Sequence, residues 1–199
     1  MKKPLITLAA CLFAANVLWA QTDAKKPEMS KEEMAAMKAW EAFATPGAVH
    51  KMLAKDDGQW DEEITMWYAP GAPPETMKAT CVNSMILGGR YQQSVHRGNF
   101  QGQPFEGIST LAYDNTRKVF ISSWIDNMGT GMMIMEGISK GDNVVAFEGK
   151  QTDPVSGKEL KMSEEFIMVD ANTQRMIMYQ TTAEGKTFKN MEITFKRKK

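Results

Sequence analysis

The chain has very few of the residues that most site chemistry needs. Two cysteines and two histidines stand among its 199 residues. Cys11 falls in an apolar N-terminal segment, so Cys81 is the one thiol of the chain that follows, and an intramolecular disulfide is excluded there. With only His50 and His96, a three-histidine zinc centre is excluded too. No two ligand residues stand at metal spacing along the chain. The sequence therefore predicts no metal site and no cofactor. An excess of charge is also lacking, with 24 basic and 24 acidic residues. Removing residues 1–20 takes away Lys2 and Lys3 and leaves 22 against 24, a net charge of −2. That balance gives no electrostatic reason to expect a nucleic acid. The one basic cluster, Lys196-Arg197-Lys198-Lys199, reads as a solvated tail. No long apolar run follows residue 20, so no integral membrane span is expected in the mature protein.

What is present begins with an address. Met1-Lys2-Lys3 precedes an apolar run from Leu5 to Ala20, and polar Gln21-Thr22-Asp23 follows. A short basic start, an uncharged core and a small residue at the boundary describe a secretory signal peptide over 1–20. The expected location is therefore the periplasm or the exterior after cleavage near Ala20. Leu8-Ala9-Ala10-Cys11 offers the alternative of a lipoprotein anchored through Cys11. Against it, the apolar segment continues well past the cysteine.

Residues 21–29 read as a flexible linker and 30–57 as a short helical segment. Ser30 and Glu33 form a capping box, and Met34, Met37, Trp40 and Phe43 make an apolar stripe. Thr45 is the expected cap of a second short helix with Pro46 at its first position, carrying Val49, Met52 and Leu53. Both helices are expected to plug or flank the mouth of the following domain. From residue 58 the pattern changes. Short apolar-rich stretches alternate with turn clusters such as Gly88-Gly89, Asp114-Asn115, Gly141-Asp142-Asn143 and Glu184-Gly185-Lys186. Ten strand candidates follow, at about 60–68, 76–86, 90–97, 104–113, 117–125, 130–139, 143–151, 158–169, 174–183 and 186–197. Consecutive antiparallel strands with tight turns close most simply as an up-and-down barrel, which removes exposed edges. The expected fold is all-β, an antiparallel up-and-down barrel of about ten strands over 58–199, with 30–199 as one folded unit.

Gly58-Gln59-Trp60 at the start of the first strand resembles the lipocalin and fatty-acid-binding (calycin) signature. That resemblance implies that Trp60 closes the barrel floor under a basic residue of the last strand, Lys196 or Arg197. A longer series is more specific: Thr45-Pro46-Gly47, Leu87-Gly88-Gly89-Arg90-Tyr91, Phe105-Glu106-Gly107, Trp124-Ile125-Asp126-Asn127-Met128-Gly129-Thr130 and Asp153-Pro154-Val155-Ser156-Gly157-Lys158. In this order, over about 45–197, it resembles the exported bacterial DUF1579 family, grouped with the calycin-like barrels. The resemblance implies a barrel and supplies no substrate or catalytic residue.

Gly137-Ile138-Ser139-Lys140-Gly141 matches the nucleophile-elbow pattern. The elbow needs a helix after the serine and a histidine later in the chain. A strand follows here and both histidines precede Ser139, so the motif reads as a hairpin. Seventeen methionines, among them Met132, Met133, Met135, Met176 and Met178, offer thioethers that suit Cu(I). Their scatter favours the packing role of a flexible apolar side chain. If Trp60 points inward, Glu62 shares its face. The leading expectation is a barrel that binds a small apolar or amphipathic molecule. Tyr113, Trp124, Met133 and Met135 would give apolar contact, and Arg90 or Asp126 would orient a polar end. The alternatives are a barrel enzyme with an internal acid–base pair and an interaction protein with a packed barrel.

Overall fold

The computed structural model describes residues 29–199. The expected signal peptide, Cys11 and nearly all of the expected linker lie outside the described residues. Helices α1 (Lys31–Ala44) and α2 (Ala48–Leu53) lead through a 3-10 turn (Ala54–Asp56) into ten strands. These are β1 (Gly58–Met66), β2 (Glu75–Ile86), β3 (Tyr91–Phe100), β4 (Gln103–Asp114), β5 (Val119–Asp126), β6 (Met133–Ser139), β7 (Val144–Thr152), β8 (Glu159–Asp170), β9 (Thr173–Thr181) and β10 (Thr187–Arg197). Each strand pairs antiparallel with the next, and β1 pairs with β10, so the sheet closes on itself. The up-and-down barrel read from the turn rhythm is the barrel found. Among the described residues no helix is long and apolar enough to cross a membrane.

Alternation along the strands sends one side chain in two to the interior. In β1 these are Trp60, Glu62 and Ile64, and across the closure Ile64 pairs with Ile193 and Glu62 with Phe195. Two apolar clusters fill most of the space. One gathers Phe120, Met135, Val145, Phe147, Met162 and Met178 around Leu53 of α2; the other surrounds Trp60 with Ile64, Cys81, Ile193 and Phe195. The buried methionines thus fill gaps between rings, and Met132 stays exposed. Large rings fit because glycines face them across the ladder. A Cβ on Gly107 would lie 2.5 Å from the Trp124 ring, and one on Gly137 would lie 2.5 Å from Phe147.

The two helices play different parts. α2 and the 3-10 turn seal one end of the barrel, burying His50 and Leu53. The expected cap at Thr45 is not the one used. Thr45 ends α1, and Gly47 begins α2 with its N–H donated to His50 Nδ1 at 3.1 Å. The Thr45 hydroxyl instead donates to the Glu41 carbonyl at 2.6 Å, so it serves the end of α1 and the next helix starts two residues later. α1 carries the predicted Ser30–Glu33 capping box but has no buried residue; its stripe residues Met37 and Trp40 are exposed. It meets the barrel through Asn115 Nδ2, which donates to the carbonyls of Ala42, Phe43 and Thr45. Ser139 ends β6 and donates to the Gly141 carbonyl at 2.6 Å, the hairpin expected in place of a nucleophile elbow.

The two tryptophans at these places should respond oppositely to truncation. Trp60 is fully buried and Trp40 is exposed. Trp60→Ala should cost about 3–5 kcal/mol, as large-to-small core changes do. Trp40→Ala should stay within about 0.5 kcal/mol of the parent. Chemical denaturation of both variants checks this, and equal losses would contradict the packing described.

Candidate functional site

The plug is held by donors from the barrel. A helix leaves its last carbonyls without partners inside the helix. Here Gln92 Nε2 donates to the Leu53 carbonyl at 2.7 Å, and Arg197 Nη2 donates to that of Lys55, also at 2.7 Å. Trp60 Nε1 and Asn83 Nδ2 both donate to the Asp56 carbonyl, at 2.9 and 3.3 Å. Arg197 Nη1 reaches the Asp57 carbonyl at 2.8 Å, and its guanidinium carbon lies 4.2 Å from the Trp60 ring centre. Of the two basic residues the calycin resemblance offered, Arg197 is the one over the ring. Gly58 makes this approach feasible: its φ is +125°, and a Cβ there would stand 3.3 Å from Arg197 Nη1.

Beneath the plug lies a cavity of about 90 Å³. Ser94, Ser109 and Ser122, from β3, β4 and β5, give it a polar wall together with Gln92. Phe120, Phe147 and Phe166 give an apolar wall, Met52 and Leu53 the roof, and Asp56 and Glu164 also face it. Burial pushes the Glu164 carboxyl up to about 7, and among the described residues no neighbouring cation or hydrogen bond offsets it. Burial also pushes Asp56 up to about 6, although the Arg197 charge pulls the other way. A wider groove of about 290 Å³ lies at the opposite rim, among Met66, Met77, Asn99 and Phe100.

A second polar group stands in the barrel wall. Glu62 Oε1 and His96 Nδ1 are 2.8 Å apart, and His96 Nε2 is 3.8 Å from Cys81 Sγ. All three residues are buried. The Cys81 thiol donates to Asn83 Oδ1 at 2.9 Å, and burial with the nearby Glu62 charge pushes it up to about 12. Such a thiol is protonated and unreactive at neutral pH. Beside His96, 5.0 Å between ring centres, stands Trp124, whose Nε1 donates to Asp126 Oδ2 at 2.7 Å.

The six residues proposed from sequence do not form one constellation. Trp124, Asp126 and half-buried Met133 stand on neighbouring β5 and β6, with Trp124 opposite Met133 in the ladder. Met135 is in the packed core. Tyr113 lies near the plug, edge-on to Phe120 and His50. Arg90 is exposed in the β2–β3 turn, donating to the Leu87 carbonyl. None of the six lines the cavity. The cavity is lined by serines and a glutamate, which hydropathy places on a wet face; only the inward position of Phe166, two residues on, gives the direction of Glu164.

The family pattern described as "Protein of unknown function (DUF1579)" matches residues 45–197. The chain belongs to that family. The match takes in the plug and all ten strands and leaves out α1. No curated protein matches the chain. Among solved structures, this DUF1579 barrel is similar to Rv2717c from M. tuberculosis, at 14% identity and a TM-score of 0.56, over 78% of this chain and 100% of that one. It is also similar to the S-type phycobiliprotein lyase CPES from Guillardia theta, at 9% identity and a TM-score of 0.57, over 80% of this chain and 97% of that one. At such identities the likeness is one of fold, and the barrel is calycin-like.

The two raised carboxyls carry a consequence for stability. The ordinary values are 3.8 for Asp56 and 4.5 for Glu164, against about 6 and about 7 in the folded chain. Between those limits the folded state binds more protons than the unfolded one, so stability falls as pH rises through the window. Urea midpoints should therefore drop between pH 5 and pH 7.5 (about the span of both shifts). Glu164→Gln should flatten the part above pH 4.5, and parallel curves for the two proteins would contradict the assignment.

Proposed function

We propose that this barrel binds a small amphipathic molecule by a hydrogen-bond-donating head, an amine foremost, in the cavity beneath the plug. The observation that carries the reading is Glu164, a half-buried carboxyl that faces the cavity with no cation beside it among the described residues. A ligand ammonium would supply the missing charge and let Glu164 ionise at neutral pH. The three serine hydroxyls would accept or donate as the head requires. Phe120, Phe147 and Phe166 would meet the adjoining apolar carbons.

Size narrows the class. A cavity of 90 Å³ is smaller than an engineered cavity of about 150 Å³ that takes up benzene. The site accepts a head group, and a longer tail would leave past Met52 and Met168 at the plug, whose unbranched side chains adjust readily. The signal-peptide reading makes this an exported binding protein, acting outside the cytoplasm. An enzyme reading has one supporting feature, the Glu62–His96 pair. Neither the cavity nor the rim groove touches that pair, so binding is the better supported role.

The test is a series of alkyl amines, alcohols and carboxylates of matched chain length, followed by thermal shift and calorimetry. Amines should bind best and carboxylates not at all. Glu164→Gln should weaken amine binding about tenfold to hundredfold, the effect of one charge-assisted hydrogen bond. Ser122→Leu, which fills the cavity, should abolish binding and leave the chain folded. Equal binding of amines and carboxylates, or none by any member, would contradict the proposal.

A further inference from the structure

Glu62, Cys81 and His96 are far apart in the chain and adjacent in the sheet. Cys81 pairs with Trp60 on β1 and with His96 on β3, and Glu62 sits two residues further along β1. The residues opposite Glu62 are small: Ala79 on β2 and, beyond it, Gly98 on β3. A Cβ on Gly98 would lie 3.0 Å from that of Ala79, so position 98 has no room for a larger side chain. One ligand atom from each of the three lies within 4.8 Å of the others. Around a tetrahedral zinc, bonds of about 2.0–2.3 Å put ligand atoms about 3.3–3.8 Å apart. Glu62 holds His96 Nδ1 while Cys81 faces Nε2. An ion between the three would therefore replace the Glu62–His96 hydrogen bond and take one ring nitrogen, with the side chains turning to bring the donors together.

A packed core accounts poorly for this group. Glu62 is 1% exposed, and its Oε2 has no hydrogen-bond partner among the described residues. A buried carboxylate oxygen left unpaired costs on the order of 1–3 kcal/mol or more. We propose that Glu62, Cys81 and His96 form a binding site for one thiophilic divalent cation, with zinc the best match to the donors. Carboxylate, thiolate and neutral imidazole carry two negative charges between them, so a divalent ion makes the buried site neutral. Binding forms bonds from the ion to sulfur, nitrogen and oxygen and releases the thiol proton to solvent. Thiolate and imidazole select zinc-like ions over magnesium or calcium. Asn83 Oδ1, 2.9 Å from the sulfur, is the nearest fourth donor, and its amide is already oriented by the Asp56 carbonyl. The site is independent of the amine cavity.

Cobalt(II) is the probe. Full-length protein is unfolded with chelator, refolded with cobalt and freed of excess metal. One ion per chain should remain, with a near-ultraviolet thiolate-to-cobalt charge-transfer band and intense visible bands of a four-coordinate ion. Cys81→Ser should lose the charge-transfer band entirely, Glu62→Gln should retain less cobalt, and Cys11→Ser should keep both ion and band. X-ray absorption of the zinc-refolded parent needs no variant, and should give one sulfur at about 2.3 Å with nitrogen and oxygen at about 2.0 Å. No retained ion, a band that survives Cys81→Ser, or a shell without sulfur would overturn the proposal.

Discussion

The arrangement on which the rest depends is the capture of a helix end by the barrel it closes. The carbonyls of Leu53, Lys55, Asp56 and Asp57 stand at the C-terminal end of a short helical segment, where donors of the same segment run out, and would be costly to bury bare. Gln92, Asn83, Trp60 and Arg197 supply them. Arg197 does most, because a planar guanidinium can donate to several carbonyls while stacking on the indole, which an ammonium cannot do. Its Nε also reaches the Ala171 carbonyl between β8 and β9, so the last strand, the plug and the adjoining β8–β9 hairpin are tied at one side chain. The family match begins at residue 45, just before this plug and after α1. That boundary agrees with the burial: α2 is part of the barrel and α1 rests outside it.

Closing the end in this way shapes the chemistry inside. Rings and thioethers fill most of the interior, and inward glycines let them interlock at 107 and 137. Where β3, β4 and β5 present serines in place of larger groups, the roof of the plug spans a void, and Glu164 faces it from β8. The same exclusion of water that raises Glu164 and Asp56 also holds Cys81 protonated. Two places in one barrel therefore hold acidic groups away from water that a cation would let ionise: the cavity, which suits an organic cation, and the β1–β3 wall, which suits a metal ion.

Strands were legible in the sequence because turn residues punctuate them, and every predicted strand overlaps an observed one. Facing was legible only where alternation is clean, as in Trp60-Asp61-Glu62-Glu63-Ile64 and Met191 to Phe195. In β4, β5 and β8 most side chains are half-buried on both faces, so hydropathy gives no direction there. That is why Tyr113 and Trp124 could be named as lining while Ser109, Ser122 and Glu164 were missed. The cluster of Glu62, Cys81 and His96 has no signature along the chain, because ladder register brings it together. The α1 stripe misled for a related reason: amphipathicity predicts a face able to be buried, and Trp40 remains exposed.

The central claim, that Arg197 and its neighbours hold the plug shut, is open to direct measurement by hydrogen exchange across residues 47–57. Charge-assisted hydrogen bonds are worth about 1.5–3 kcal/mol each. Arg197→Lys should therefore speed exchange in α2 by about tenfold to hundredfold, while amides of β4 to β7 keep their protection. Unchanged exchange in α2, or a uniform loss of protection around the whole barrel, would contradict the account.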